Sequence, residues 1–173
     1  MFRNSYQNGK AKYLELYDQS KHVSSSGKDF WRLRSVKKKV YEKSSKGYIT
    51  AVDTNSASSM VLPKDGKKEL AIILPFILFQ VFIPAGKQIS LEFVVTDTLG
   101  FKRRINFGKG TKTLVCNEHH SRIPSMSFRT SQWVNLCIDV KSFYEHCYPT
   151  QNFKQIDGIT LTAFCQVRKI FAL

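Results

Sequence analysis

The chain has 173 residues, the size of one domain, and 42% of them are hydrophobic, which excludes disorder as the main state and suffices for a continuous core. Lysine and arginine outnumber aspartate and glutamate by 27 to 13, a formal net charge of +14 that favours acidic partners. No run reaches the roughly 18 apolar residues of a membrane-spanning helix, because the longest, residues 70–79, is followed by Gln80 and Pro84.

Taken in chain order, strand patterns are expected at residues 12–17, 30–34, 47–52, 59–62 and 76–83. Next, Ile89, Leu91, Phe93 and Val95 alternate with Ser90 and Glu92, the period of a half-buried strand. A further strand is expected at residues 100–107, and Val134, Leu136 and Ile138 alternate with Asn135 and Asp139. Val140, Phe143, Tyr144 and Cys147 then form a helical stripe that Asp139 is placed to cap. In the last segment Ile159, Leu161, Ala163, Cys165 and Val167 share one side, which reads as one long strand.

Turn chemistry separates these elements: Pro63-Lys64-Asp65-Gly66, Pro84-Ala85-Gly86, Asp97-Thr98-Leu99-Gly100, Gly108-Lys109-Gly110 and Asp157-Gly158. Residues 24–27 and 44–47 read as loops. The expected fold is an all-β, antiparallel sandwich of jelly-roll type with one short helix, forming a single domain over residues 1–173. Within it, Met1, Phe2 and Tyr6 of residues 1–10 either dock as an N-terminal arm or tuck into the sandwich.

Motifs for chemistry are missing or incomplete. Cys116, His119 and His120, with His146 and Cys147, lack the regular ligand spacing of a zinc site and read as buried thiols with surface histidines. Gly86-Lys87-Gln88 lacks the rest of a phosphate loop, and residues 108–112 read as a hairpin turn rather than an anion nest. No nucleophile elbow, Cys/His protease signature or carboxylate pair occurs, so no enzyme activity, metal, cofactor or small-molecule substrate is expected. Lys46-Gly47-Tyr48 opens like an RNA-recognition strand, but the residues that follow depart from that motif. The opening residues lack a signal-peptide stretch and no Asn-x-Ser/Thr acceptor occurs, so an intracellular setting is expected in which Cys116, Cys137, Cys147 and Cys165 are unpaired thiols.

Three basic clusters stand out as partner-binding candidates: Lys37, Lys38 and Lys39; Lys64 with Lys67 and Lys68; and Lys102-Arg103-Arg104. Strand register divides the last of these. Arg103 shares a face with Ile105 and Phe107, so it is expected inside, satisfied by a carboxylate such as Asp97, because an unpaired buried guanidinium is very costly. Lys102 and Arg104 then face a partner.

Over essentially its whole length the sequence resembles the cilia- and flagella-associated protein 20 family of the ciliary inner junction, and in particular its longer domain-containing relative. The resemblance rests on Met1-Phe2-Arg3-Asn4, Leu62-Pro63-Lys64, and Asp97 followed by Lys102-Arg103-Arg104. It continues through Trp133, Asn135-Leu136-Cys137-Ile138-Asp139, Asp157-Gly158-Ile159 and the closing Val167-Arg168-Lys169-Ile170-Phe171. Lys37-Lys38-Lys39 stands where family members tend to place a tryptophan. The resemblance implies a non-enzymatic component of axonemal doublet microtubules or basal bodies, whose partners are tubulin and neighbouring axonemal proteins. Two other functions compete with this expectation. One is a carbohydrate-binding module built on Trp31, Trp133, Tyr13, Tyr17 and Tyr48; the other is a single-stranded nucleic-acid binder using the same cations.

Overall fold

Alternation of apolar and polar side chains becomes strand after strand, and the apolar sides of two sheets close on each other. The computed structural model describes residues 13–19, 30–43, 47–52, 57–108, 112–124, 128–162 and 164–173. The strands are β1 (Leu14–Asp18), β2 (Arg32–Arg34), β3 (Lys37–Glu42), β4 (Gly47–Val52), β5 (Ser59–Leu62), β6 (Phe76–Phe82) and β7 (Ser90–Asp97). They continue with β8 (Lys102–Phe107), β9 (Val115–Cys116), β10 (His120–Ile123), β11 (Trp133–Asp139), β12 (Phe153–Thr162) and β13 (Cys165–Ala172), with one helix, α1 (Val140–Cys147). One sheet runs β11-β6-β13-β4-β3 with β1 also on β13, and the other runs β2-β5-β12-β7-β8-β10-β9. The chain crosses repeatedly between the two layers, as β4 to β5, β6 to β7 and β12 to β13 illustrate. Among the described residues this is the all-β sandwich with a single short helix that the alternation predicts.

The core lies between the layers. Ile77, Phe79 and Val81 of β6 and Val167 and Ile170 of β13 meet Leu91, Phe93 and Val95 of β7, Ile105 and Phe107 of β8, and Ile159 and Leu161 of β12. An aromatic spine crosses it: Phe79 packs on Phe93 (6.3 Å between centroids), Phe93 on Phe107 (5.8 Å) and Phe107 on Phe143 of the helix (4.8 Å). Each of the fully buried rings, Phe79, Phe93 and Phe107, contributes about 1.5–3 kcal/mol of burial. The helix follows the expected stripe, burying Val140, Tyr144 and Cys147, while Asp139 Oδ1 accepts the Ser142 amide at 2.9 Å.

Several local readings change. The long strand expected across residues 159–167 is two strands in different sheets, with Phe164 at φ 61° between them. Alternation survives the crossing because both sheets face the same core, so periodicity alone hides the break. Asp157-Gly158, expected as a turn, is instead a bulge inside β12, where the register against β7 shifts between Ile156 and Gly158. Gly158 packs closely there, since a Cβ would meet Val94 Cγ2 at 3.1 Å and Val94 would have to shift by a few tenths of an ångström to admit it. The hairpin expected at residues 108–112 does not pair the strands it separates: β9 pairs with β10, and β10 lies parallel to β8. Among the described strands, that parallel pair departs from an otherwise antiparallel plan. β3 was expected only as a charge cluster. Lysines on an edge strand are a common guard against edge-to-edge pairing, and β3 is the edge of its sheet. Residues 1–10 and 24–27 lie outside the described residues.

Replacing Phe93, fully buried, by alanine should cost about 3–5 kcal/mol, whereas Leu99→Ala, at a residue 69% exposed, should cost no more than about 0.5 kcal/mol. Equal costs in chemical denaturation would contradict the placement of the core.

Candidate functional site

β8 carries the charge cluster, and its alternation separates one buried cation from two exposed ones. Arg103 points inward: its Nη1 donates to Asp97 Oδ2 at 2.5 Å and to Tyr144 Oη at 2.6 Å, and its Nε donates to Glu118 O at 2.8 Å. Tyr144 Oη in turn donates to Asp97 Oδ2 at 3.1 Å. The guanidinium also lies over the Tyr148 ring, 4.7 Å from its centroid. Asp97 Oδ1 accepts the amides of Leu99 and Phe101, both at 2.9 Å, which closes the β7–β8 turn, and Gly100 supplies its φ of 91°. The expected Arg103–Asp97 pair therefore forms, and it ties β7, β8 and α1 together.

Ionisation follows from this geometry. Burial opposes the Asp97 charge, but the bonds from Arg103, Phe101, Tyr144 and Leu99 outweigh it and hold the carboxyl below 3.8. Burial likewise opposes the Arg103 charge, and Asp97 and Tyr144 overcome it, raising its pKa. Burial pushes the Tyr144 hydroxyl up to about 12, so it remains a donor at neutral pH.

Lys102 and Arg104 point the other way, onto the outer face of the seven-stranded sheet. There they border a groove of about 540 Å³ with Lys67, Lys68 and Arg32, over a floor that includes Val94 and Gly158. The groove continues into a depression of about 360 Å³ beside Asn106 and Arg122, sharing Glu92, Arg104 and His120 with the first. Cross-strand register builds this face: Thr96 lies opposite Lys102, Val94 opposite Arg104, and Arg104 opposite His120, while Asn106 lies between Glu92 and Arg122. Two carboxylates answer two of the cations. Lys102 Nζ pairs with Glu69 Oε1 at 2.7 Å and Arg104 Nη1 with Glu92 Oε1 at 3.1 Å. The Glu69 bond chiefly raises the Lys102 pKa, against partial desolvation. Asp157, buried in the bulge at the groove margin, accepts Thr96 Oγ1 at 2.5 Å, Gln155 Nε2 at 2.9 Å and the Ala71 amide at 3.1 Å.

Of the expected partner-binding residues, Lys67, Lys68, Lys102 and Arg104 thus come together. Lys64 is exposed in the same turn but does not line the groove, and Lys37 is exposed on β3 of the other sheet. The side chains of Lys38 and Lys39 lie outside the described residues. Sequence reading missed Arg32, Arg122, Glu69 and Glu92 as members of this face. Alternation in residues 120–123, with Ser121 and Ile123 buried and Arg122 exposed, was the one signal for Arg122.

None of the five aromatics considered for sugar or base stacking lines the groove. Trp31 is buried with Nε1 donating to Leu16 O at 2.8 Å, and Tyr17 is buried beside it. Tyr13 packs on Phe171, Tyr48 on Tyr41 and Trp133 on Phe82, all on the six-stranded sheet. Cysteine placement differs in part from expectation, since Cys147 and Cys165 are buried but Cys116 and Cys137 are exposed. Desolvation of its sulfur, then a hydrogen bond with Cys147, pushes the Cys116 thiol up to about 11, which makes it a poor nucleophile at neutral pH. Among the described residues no group of three or more His, Cys, Asp or Glu side chains is arranged to hold a metal ion.

Compared with known families, residues 1–173 match the model of the CFA20 domain, which covers the whole chain.

Asp97→Ala should cost about 3–5 kcal/mol at neutral pH by leaving Arg103 buried without its counter-charge. Because the folded Asp97 pKa lies below 3.8, its contribution is complete above that pH and is lost as pH falls through the folded value. Denaturation of both proteins across pH 2–7 should therefore show the gap between them closing at acid pH, and a pH-independent gap would refute the ion-pair account.

Proposed function

The chain belongs to the CFA20 domain family, a structural family associated with cilia, and from that premise we propose that it is a non-enzymatic component of ciliary doublet microtubules or basal bodies. Its partner in this reading is the acidic tubulin lattice, with neighbouring axonemal proteins beside it. The observation that carries the reading is the gathering of Lys67, Lys68, Lys102 and Arg104 on one sheet face of a protein whose net charge is +14. A field of that sign attracts an anionic polymer and is screened by salt within about 10 Å at 0.1 M ionic strength.

The mechanism is interfacial. Exposed cations contribute little one at a time, but copies repeated along a filament act at high effective concentration, so weak contacts hold collectively. Sheet rigidity adds to this, because side chains on paired strands lose little further freedom when they meet a surface. The competing sugar and nucleic-acid readings need an aromatic platform beside the polar groups, and the aromatics they invoke are in the core or on the other sheet.

Co-sedimentation with microtubules should fall steeply across a salt series and on proteolytic removal of the acidic tubulin tails. Lys102→Glu with Arg104→Glu should weaken it by roughly an order of magnitude while shifting Tm by no more than about 4 °C, since both native pairs are exposed. Binding that is indifferent to salt and to these substitutions would overturn the reading.

A further inference from the structure

Glu69 and Glu92 are the informative residues in the groove. Each is a carboxylate already seated on a cation expected to meet a partner: Glu69 on Lys102 at 2.7 Å and Glu92 on Arg104 at 3.1 Å. Both pairs are solvent-accessible, with side-chain exposures of 50% and 43% for the first and 62% and 26% for the second. Exposed pairs of this kind are weak and exchange readily with other charges. Among the described residues around the two joined depressions, the lysines and arginines outnumber the carboxylates six to three. One of those cations, Arg32, has its Nε buried without a hydrogen-bond partner among the described residues.

Spacing adds a second constraint. Lys102 and Arg104 are two residues apart on one strand, so their Cα atoms repeat at about 6.8 Å, which is also the same-face repeat of an extended peptide. The floor between them and β12 is low, since Gly158 presents no side chain and Val94 only a small one. A rod-like segment carrying carboxylates at alternate positions matches both the charge and the repeat. A nucleic acid fits less well: Phe107, the one Phe, Tyr or Trp among the described lining residues, is buried in the core and offers no face for stacking, and the three described carboxylates oppose a dense run of phosphates.

We propose that this groove is a docking site for an extended, glutamate-rich peptide segment, and that Glu69 and Glu92 are internal stand-ins which such a segment displaces from Lys102 and Arg104. The site rests on the reading of the protein as a binder of acidic partners, and it adds the ligand class and a built-in competition. Incoming carboxylates exchange with resident ones of the same chemistry, so the groove discriminates by number and spacing of charges rather than by charge alone. The resident pairs also lower affinity for isolated anions, which offer too few carboxylates to displace both.

The test is fluorescence anisotropy of the purified chain with a labelled ten-residue polyglutamate peptide, a polyglutamine peptide as neutral control, and an unlabelled uridine decanucleotide as competitor. Binding of polyglutamate and not polyglutamine is expected. Glu69→Gln with Glu92→Gln should tighten it roughly two- to fivefold, the factor that an exposed ion pair represents. Lys102→Gln with Arg104→Gln should weaken it by an order of magnitude or more, whereas Lys37→Gln, on the other sheet, should leave it unchanged. Thermal melts confirm that each variant is folded. If the glutamate variants bind no more tightly, the stand-in role is wrong; if Lys37→Gln weakens binding as much as the groove variants, the location is wrong. Stronger competition by the oligonucleotide than by unlabelled polyglutamate would replace the peptide by a nucleic acid. The same variants in microtubule co-sedimentation separate the two readings: peptide binding without sedimentation overturns the lattice and keeps the groove, and sedimentation without peptide binding does the reverse.

Discussion

The buried ion pair between Arg103 and Asp97 sets the arrangement on which the outer face depends. A guanidinium inside a sandwich is tolerated only when its charge and donors are answered, and here Asp97, Tyr144 and the Glu118 carbonyl answer them. The same carboxylate receives two amides of the β7–β8 turn, so one side chain both neutralises the cation and shapes the hairpin that delivers it. A slip of one residue in β8 would bury Lys102 or Arg104 and expose Ile105 and Phe107, so register is strongly determined. The outward direction of the two flanking cations follows from the inward commitment of the one between them.

The two layers turn different surfaces to solvent. On the six-stranded sheet, aromatic side chains lie in edge-on or tilted pairs, Tyr13 with Phe171, Tyr41 with Tyr48 and Phe82 with Trp133. On the seven-stranded sheet, the strand pairings set lysine, arginine and glutamate side by side. The net charge of +14 is thus only the sum; part of it is gathered over one face, where resident carboxylates moderate it. Moderation has a use: a surface of unopposed cations binds any polyanion, whereas one with interspersed carboxylates favours partners that can replace them.

The bulge in β12 joins these layers of argument. It places Asp157 where Thr96, Gln155 and the Ala71 amide satisfy it, and it sets Gly158 against Val94, so that the groove has a low floor. β10 then lies parallel to β8 and extends the sheet, which brings Arg122 onto the face. A fold with a high share of long-range strand pairing is needed for such a surface, because its members come from residues 32 to 160 of the chain.

Local pattern was enough to reveal the class of fold, the capped helix at residues 139–147 and the inward turn of Arg103. Each rests on a period or a spacing within a dozen residues: alternation in β7, β8 and β11, the stripe Val140, Phe143, Tyr144 and Cys147, and Asp97 six residues before Arg103. Tertiary structure alone decided that residues 159–167 divide between two sheets, that Asp157-Gly158 is a bulge rather than a turn, and that β10 joins β8 in parallel. It also decided that Glu69 and Glu92 sit on Lys102 and Arg104 while Lys37 belongs to a different face. The division has one cause. Side-chain period is a local property of an extended chain, legible wherever five or six residues alternate, whereas strand partners and ion pairs join residues far apart in sequence and exist only once the sheets have closed.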